Sequence, residues 1–246
     1  MSIAAALEVI EERIQRACIR AGRRRKDIRL MAVSKFQPAA AIEDAWNNGI
    51  RLFGENRVQE AAEKFSARIK PAFAGDPPPS GAPAAFPFRE SELHMIGSLQ
   101  RNKAKLASRI FDCVQSLDRE EIIAELAKHA GGRERPLPVL LELHTGESSK
   151  SGFQDEESLI RAAERLLSCP GLQAAGLMTM APFNSGEAPV RASFRALVHA
   201  QAALVSRFPQ ADWSCLSMGM SGDFEIAVEE GSTLLRIGTA IFGERP

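Results

Sequence analysis

The chain has 246 residues, of which 45% are hydrophobic and 25% are charged. These fractions are typical of a soluble globular protein, and the length fits one (β/α)8 barrel, although two smaller domains would also fit. Lys and Arg together number 31, as do Asp and Glu, so the net charge of zero gives no electrostatic argument for a nucleic-acid or membrane partner.

The start of the chain shows no basic segment followed by an apolar core and a cleavage site, so we expect a cytoplasmic protein. No stretch approaches the length that spans a bilayer. The four cysteines are widely separated and form no C-x-x-C pair, which favours buried free thiols over disulfides or zinc ligands. The four histidines show no ligand spacing, so no metal site is predicted.

Apolar residues recur at helical spacing over about the first two dozen residues and predict an amphipathic helix there. After it, strand-like and helix-like segments alternate. Strands are predicted at 28–34, 51–54, 93–97, 111–116, 138–144, 172–178, 214–218 and 234–238. Helices are predicted at 38–48, 56–69, 119–129, 156–167, 190–208 and 223–230.

This alternation predicts a (β/α)8 barrel with an extra N-terminal helix, because an open doubly wound sheet usually stops at about five or six strands. Several strands are nearly uniformly apolar, as strands covered on both faces must be. We expect one domain over residues 1–246. The segment 73–83, within a longer insertion to about 89, is rich in Pro, Gly and Ala and predicts a surface loop at the bottom of the barrel.

Lys35 lies at the carboxyl end of the first predicted strand and is a candidate covalent anchor. An amine attacks a carbonyl only when unprotonated, so such a lysine needs a pKa lowered from about 10.4 by desolvation or a neighbouring cation. Arg236, at the end of the last predicted strand, supplies that cation in a closed barrel, where the last strand lies beside the first. A solvated lysine at a strand end is the ordinary alternative.

Two glycine-containing loops, 216–223 and 236–243, follow the last two predicted strands. Glycines let the backbone approach an anion closely, and hydroxyls add donors. Loops in these places are the usual phosphate site of (β/α)8 barrels. A phosphate site beside a lysine that forms a Schiff base predicts bound pyridoxal phosphate. Arg236 at the pyridine nitrogen would keep that nitrogen unprotonated, which disfavours strong carbanion chemistry.

The segments AVSK (32–35), FGENRVQE (53–60), HMIGSLQRNK (94–103), GLM (176–178), LSMGMS (216–221) and RIGT (236–239) occur in this order along nearly the whole chain. Together they closely resemble the pyridoxal phosphate homeostasis proteins, single-domain relatives of the N-terminal barrel of alanine racemase. That family has no established turnover and is linked to vitamin B6 and amino-acid balance. The chain departs from the family at His144, where an asparagine usually follows the apolar strand.

The resemblance implies that Lys35 carries pyridoxal phosphate as a Schiff base, that Arg236 faces the ring nitrogen and that Asn56 lies close to the ring. It also implies a phosphate site made of Ser217, Met218, Gly238 and Thr239. Whether His94 or His144 touches the cofactor stays open, because a histidine in a strand is at least as often a core residue.

We therefore expect a monomer that holds pyridoxal phosphate and buffers it or delivers it to apo-enzymes, without strong catalytic activity. One alternative is a pyridoxal-phosphate-dependent racemase or decarboxylase, but the chain has no tyrosine to act as the racemase base and no room for a second domain. A second alternative is a Schiff-base aldolase, for which Glu55 is the candidate acid/base. A third is a phosphate-sugar binding barrel in which Lys35 makes a plain electrostatic contact.

Overall fold

A computed structural model of the protein describes residues 1–66, 90–146 and 151–244. In these residues eight parallel strands form a closed barrel, in which consecutive strands pair and the last strand pairs with the first. The predicted (β/α)8 barrel with an N-terminal helix is confirmed. The predicted proline-rich loop at 73–83 lies outside the described residues.

Every strand overlaps a segment that the apolar pattern predicts, and the ends differ by one or two residues at most positions. Side-chain pattern does not mark where the ladder hydrogen bonds stop, so this difference is the expected one. The strands are β1 Arg29–Val33, β2 Leu52–Glu55, β3 Glu92–Met95, β4 Cys113–Leu117, β5 Leu137–Glu142, β6 Leu172–Met178, β7 Cys215–Ser217 and β8 Leu234–Ile237.

The helices are α1 Ile3–Ala21, α2 Ala39–Asn47, α3 Val58–Lys64, α4 Ala104–Ile110, α5 Glu120–Ala130, α6 Glu156–Leu167, α7 Glu187–Arg207, α8 Phe224–Glu229 and α9 Thr239–Phe242. The sequence pattern does not name α4 or α9, which have 7 and 4 residues. None of the described helices is long and apolar enough to cross a bilayer.

Helix α1 begins and ends at capping residues. The Ser2 hydroxyl accepts a hydrogen bond from the Ala5 amide at 3.3 Å, and Gly22 adopts the left-handed conformation at φ 63°. The helix lies against α8, where the Arg13 guanidinium stacks on the Phe224 ring at 4.5 Å. Its apolar stripe is thereby buried outside the barrel, as the helical spacing predicts.

The largest apolar core fills the space between the strands and the helices, and smaller clusters fill the barrel itself. One of these joins Met31, Leu52 and Leu234. The barrel is narrow there, since a Cβ at Gly54 would lie 2.5 Å from the Met31 sulfur. All four cysteines are free, and the three other than Cys215 are buried, which confirms the prediction of free thiols.

We expect Gly176→Ala to destabilise the barrel strongly. Gly176 has φ 146°, and a Cβ there would lie 1.9 Å from the Cys215 carbonyl oxygen in the neighbouring strand. Backbone strain and overlap of this kind cost about 2–4 kcal/mol, measurable by urea unfolding. Gly222→Ala is the control, because no atom lies within 4 Å of a Cβ at Gly222. Equal stability of the two variants would contradict the strand geometry.

Candidate functional site

Lys35 lies at the carboxyl end of the barrel, just beyond β1. The ladder continues one residue past the strand, because the Ser34 amide donates to the Gly54 carbonyl at 3.0 Å. Side chains alternate along β1, so Ser34 faces the helix layer, where it bonds to Glu55, and Lys35 follows in the turn at the mouth of the barrel. Lys35 is half-buried, and Ser34 is fully buried.

Asn56 lies beside Lys35 at the end of the adjacent strand. The register pairs Val33 with Gly54, and Lys35 and Asn56 each follow these residues by two positions. On the other side of Asn56 the chain passes very close to β3: a Cβ at Gly97 would lie 2.4 Å from the Asn56 carbonyl oxygen. Only glycine at 97 permits this approach, which fixes Asn56 at the mouth of the barrel.

Arg236 lies inside the barrel on β8, with 4% of its surface exposed. It is opposite Met31 in the register, four positions before Lys35, which corresponds to about 13 Å along the strand. Its guanidinium donates to the Ser217 carbonyl at 2.6 Å, the Ser217 hydroxyl at 2.7 Å and the Thr179 carbonyl at 2.8 Å. Among the described residues, no carboxylate lies within ion-pair distance of Arg236. Burial lowers the pKa of Arg236 to about 10.

A chain of hydrogen bonds crosses the barrel from Arg236. The Ser217 hydroxyl donates to the Gln115 side-chain carbonyl at 2.6 Å, and the Gln115 amide faces His94 Nδ1 at 2.6 Å. The other ring nitrogen of His94 contacts the Glu92 carboxylate at 2.6 Å. Burial opposes ionisation of Glu92, but hydrogen bonds from His94 and Arg29 outweigh it and lower the pKa of Glu92 to about 2. Both nitrogens of the buried His94 ring are therefore engaged below the mouth of the barrel.

The residues predicted to bind phosphate fall into two groups. The Ser217 hydroxyl is engaged with Gln115 and Arg236, and the Met218 amide donates to the Leu234 carbonyl at 3.2 Å. Gly238 and Thr239, in contrast, lie where the chain leaves β8 and begins α9.

Ser221 is a residue of this region that the sequence prediction did not single out. Its hydroxyl accepts a hydrogen bond from the Ala240 amide at 3.2 Å and so joins the loop after β7 to the start of α9. The loop packs tightly: Gly219 has φ 97°, and a Cβ there would lie 2.5 Å from the Ala227 Cβ. The only sequence signal for Ser221 was its position in the same glycine-containing loop.

Glu142 is a second residue that the sequence prediction missed. It ends β5 inside the barrel with 2% of its surface exposed, and it accepts a hydrogen bond from the Ser151 hydroxyl at 3.0 Å. Burial is the main cause that raises its pKa to about 7. The available signal was a single acidic residue inside an otherwise apolar strand.

His144, the other histidine considered, is half-buried just beyond β5. It lines a cavity of about 500 Å³ together with residues of α7 such as Ser193. Its Nδ1 is buried and has no hydrogen-bond partner among the described residues. In the described structure this cavity is not lined by Lys35 or Arg236, so it is distinct from the mouth of the barrel.

Comparison with known proteins agrees with this fold. Residues 6–246 match the family model described as alanine racemase, N-terminal domain. A pyridoxal phosphate homeostasis protein of Vibrio cholerae is 41% identical over 99% of this chain and 97% of its own length. A second one, from Aquifex aeolicus, is 36% identical over 97% of this chain and 96% of its own length. The chain belongs to the pyridoxal phosphate homeostasis protein family.

The solved structures of relatives place this family member among barrels of the same shape. PipY of Synechococcus elongatus, with pyridoxal phosphate bound, is 32% identical, with a TM-score of 0.80 over 98% of this chain and 100% of PipY. A histidine racemase of Leuconostoc mesenteroides is 18% identical, with a TM-score of 0.69 over 99% of this chain and 57% of the racemase. The racemase likeness concerns the fold alone.

We expect Glu142→Gln to remove a pH-dependent loss of stability. The folded-state pKa of about 7 lies above the ordinary value of 4.5, so the carboxyl favours folding below about pH 4.5 and progressively less as the pH rises through 7. The glutamine variant should gain up to about 3 kcal/mol relative to the parent between pH 4.5 and pH 8. Urea unfolding of both proteins across this range checks it, and a constant difference would contradict the burial of an ionisable Glu142.

Proposed function

We propose that this protein binds pyridoxal phosphate covalently at Lys35 and buffers it or delivers it to apo-enzymes. The observation that carries the proposal is Arg236, a buried cation whose hydrogen-bond acceptors among the described residues are all neutral. Asp223 and Glu142 stabilise its charge only from beyond ion-pair distance, so a ligand that brings an acceptor to the guanidinium is favoured. The distance along the strand between Arg236 and Lys35 leaves room for an aromatic ring with substituents.

The chain's own groups fit such a ligand at both of its ends. Pyridoxal phosphate supplies an aldehyde, which condenses with a lysine amine with loss of one water molecule. Lys35 provides the amine at the mouth of the barrel, and Asn56 lies beside it. Arg236 would donate a hydrogen bond to the ring nitrogen and keep its proton, since a guanidinium with a pKa of about 10 stays protonated at neutral pH.

For the phosphate, the geometry favours the start of α9 over β7. We assign phosphate binding to Gly238 and Thr239, with Ser221 in the adjoining loop. Ser217 and Met218, which the family resemblance also implies, have their described polar groups engaged elsewhere. In this proposal Ser217 orients Arg236, and Met218 shapes the floor of the site.

The same residues argue against a true enzyme. Racemisation needs a base on each face of the substrate α-carbon, whereas Lys35 supplies one and the chain has no tyrosine. The aldolase alternative is not favoured with Glu55 as its acid/base, because Glu55 faces the helix layer and bonds to Ser34 and Lys64. Glu142, inside the barrel, is the other carboxyl candidate for that role. Retention of the cofactor, rather than turnover, is what this arrangement serves.

We expect borohydride reduction of the cofactor-loaded protein to fix pyridoxal phosphate on Lys35. Peptide mass mapping after reduction identifies the modified lysine. The Lys35→Ala variant should lose the covalent label but keep some affinity, because the phosphate contacts do not depend on the lysine. Lys128→Ala, on the far helix α5, is the matched control and should label as the parent does. A parent protein that takes up no label would overturn the proposal.

The phosphate assignment makes a separate prediction. Thr239→Ala together with Ser221→Ala should leave the covalent label at Lys35 intact under excess cofactor, yet speed the loss of cofactor on dialysis by about tenfold or more, since charge-assisted hydrogen bonds contribute roughly 1.5–3 kcal/mol each. Ser217→Ala is the informative comparison. If Ser217→Ala alone causes the faster loss and the double variant does not, Ser217 is the phosphate ligand.

We expect the loaded protein to exchange the α-proton of amino acids little faster than free cofactor does. NMR in heavy water with L-alanine measures this exchange. Transfer of cofactor to an apo-enzyme, followed by recovery of that enzyme's activity, measures delivery. Exchange at the rates typical of enzymes, about 1–10³ per second, would show that the protein is a catalyst rather than a carrier.

A further inference from the structure

Residues 34–37, around Lys35, form a tight turn in which the backbone conformation of Phe36 is unfavourable. The Gln37 amide donates to the Ser34 carbonyl at 3.0 Å, which makes Lys35 and Phe36 the central residues of a hydrogen-bonded turn. Phe36 has φ 62°, a conformation that a turn normally gives to glycine at this position. A bulky residue stays in this region only when its surroundings hold it there.

Two side chains of α3 contact this turn on both sides of Lys35. The Lys64 ammonium donates to the Ser34 carbonyl at 2.8 Å, and the Glu60 carboxylate accepts a hydrogen bond from the Phe36 amide. Lys64 and Glu60 also pair with each other at 2.6 Å. The peptide groups before and after Lys35 are therefore bonded to one helix.

The two helix side chains of this contact are largely shielded from water, although Phe36 itself is 42% exposed. The side chain of Lys64 is 13% exposed and that of Glu60 is 17% exposed. Below them the fully buried Glu55 accepts hydrogen bonds from Lys64 at 3.1 Å and from Ser34 at 2.6 Å. Burial opposes ionisation of Glu60, but the hydrogen bonds from Lys64 and the Phe36 amide outweigh it and lower the pKa of Glu60.

We propose that Lys64 and Glu60 are positioning residues that clamp the turn around Lys35 and thereby aim its amine into the barrel. This inference rests on the proposed role of Lys35 and adds the device that fixes its direction. Neither residue reaches into the barrel, so their effect on the cofactor passes through the backbone of the turn. The carboxylates that neutralise Lys64, those of Glu60 and Glu55, lie on the helix side of the strands. The inside of the barrel is thereby left to the ligand.

The first arm of the test needs no cofactor. Amide hydrogen exchange of the apo-protein, read on peptides that cover residues 34–37, should rise at least tenfold in Glu60→Ala and in Lys64→Met. Glu60→Gln keeps an acceptor for the Phe36 amide, and Lys64→Arg keeps a donor for the Ser34 carbonyl, so these variants should exchange nearly as slowly as the parent. Unchanged exchange in both Glu60→Ala and Lys64→Met would overturn the clamp.

The second arm follows covalent attachment of pyridoxal phosphate to Lys35 as a function of pH. Lys64→Met and Glu60→Ala should attach cofactor about tenfold more weakly and with a shifted pH midpoint, and the conservative variants should restore both. Lys128→Met removes a surface pair of the same kind, Lys128 with Glu125 at 2.9 Å, and should change neither. If both clamp variants attach cofactor as the parent does, the positioning role is refuted.

A double variant separates the clamp from the cost of an unpaired buried charge. Lys64→Met leaves Glu55 without its cation, whereas Lys64→Met with Glu55→Gln leaves a neutral pocket. The double variant should recover thermal stability but not cofactor attachment. Recovery of attachment would show that charge, not clamping, was responsible. A parent protein that never attaches cofactor refutes the proposed function, while the exchange arm still decides on the clamp.

Discussion

The pairing of β8 with β1 is the constraint on which the rest of the site depends. It closes the barrel, and its register sets Arg236 opposite Met31 and Ile237 opposite Ala32. Lys35 and the loop that begins at Gly238 thus leave adjacent strands at the same end, although about 200 residues separate them in the chain. A shift of one residue in this register would turn Arg236 or Lys35 toward the helices, since successive side chains point to opposite faces.

The barrel interior accommodates a charge at a cost that local hydrogen bonds offset. Desolvation of a buried ion costs several kcal/mol, and three hydrogen bonds to Arg236 contribute roughly 1.5–3 kcal/mol each. Ser217 accepts from Arg236 and donates to Gln115, so the orientation of one hydroxyl depends on the amide of another strand. Such a chain is stable only when every polar group in it has a hydrogen-bond partner.

The strands, the closure of the barrel and the strand-end positions of Lys35 and Arg236 could be predicted from the sequence, because they follow from the apolar runs and from where each run ends. The hydrogen-bond partners of these residues could not be predicted. Ser217 and Gln115 are 102 positions apart, and no local pattern specifies that their side chains meet. Helix α4 was missed for a different reason: its stability comes from packing rather than from a periodic apolar face.

In the proposed site, Arg236 would favour retention of a ligand over strong carbanion chemistry. A carboxylate in its place would share a proton with a pyridine nitrogen and make the ring a strong electron sink, whereas a guanidinium offers only donors. In the proposed site these donors would hold the ring without activating it. The turn at Lys35 is contacted from the helix side, where Glu55 and Glu60 neutralise Lys64 outside the barrel. No carboxylate of that cluster is therefore placed to act as a base on a bound substrate. In the proposed site both ends bind the ligand, and Glu142, inside the barrel with a pKa of about 7, is the carboxyl group whose contribution to proton transfer the exchange measurement tests.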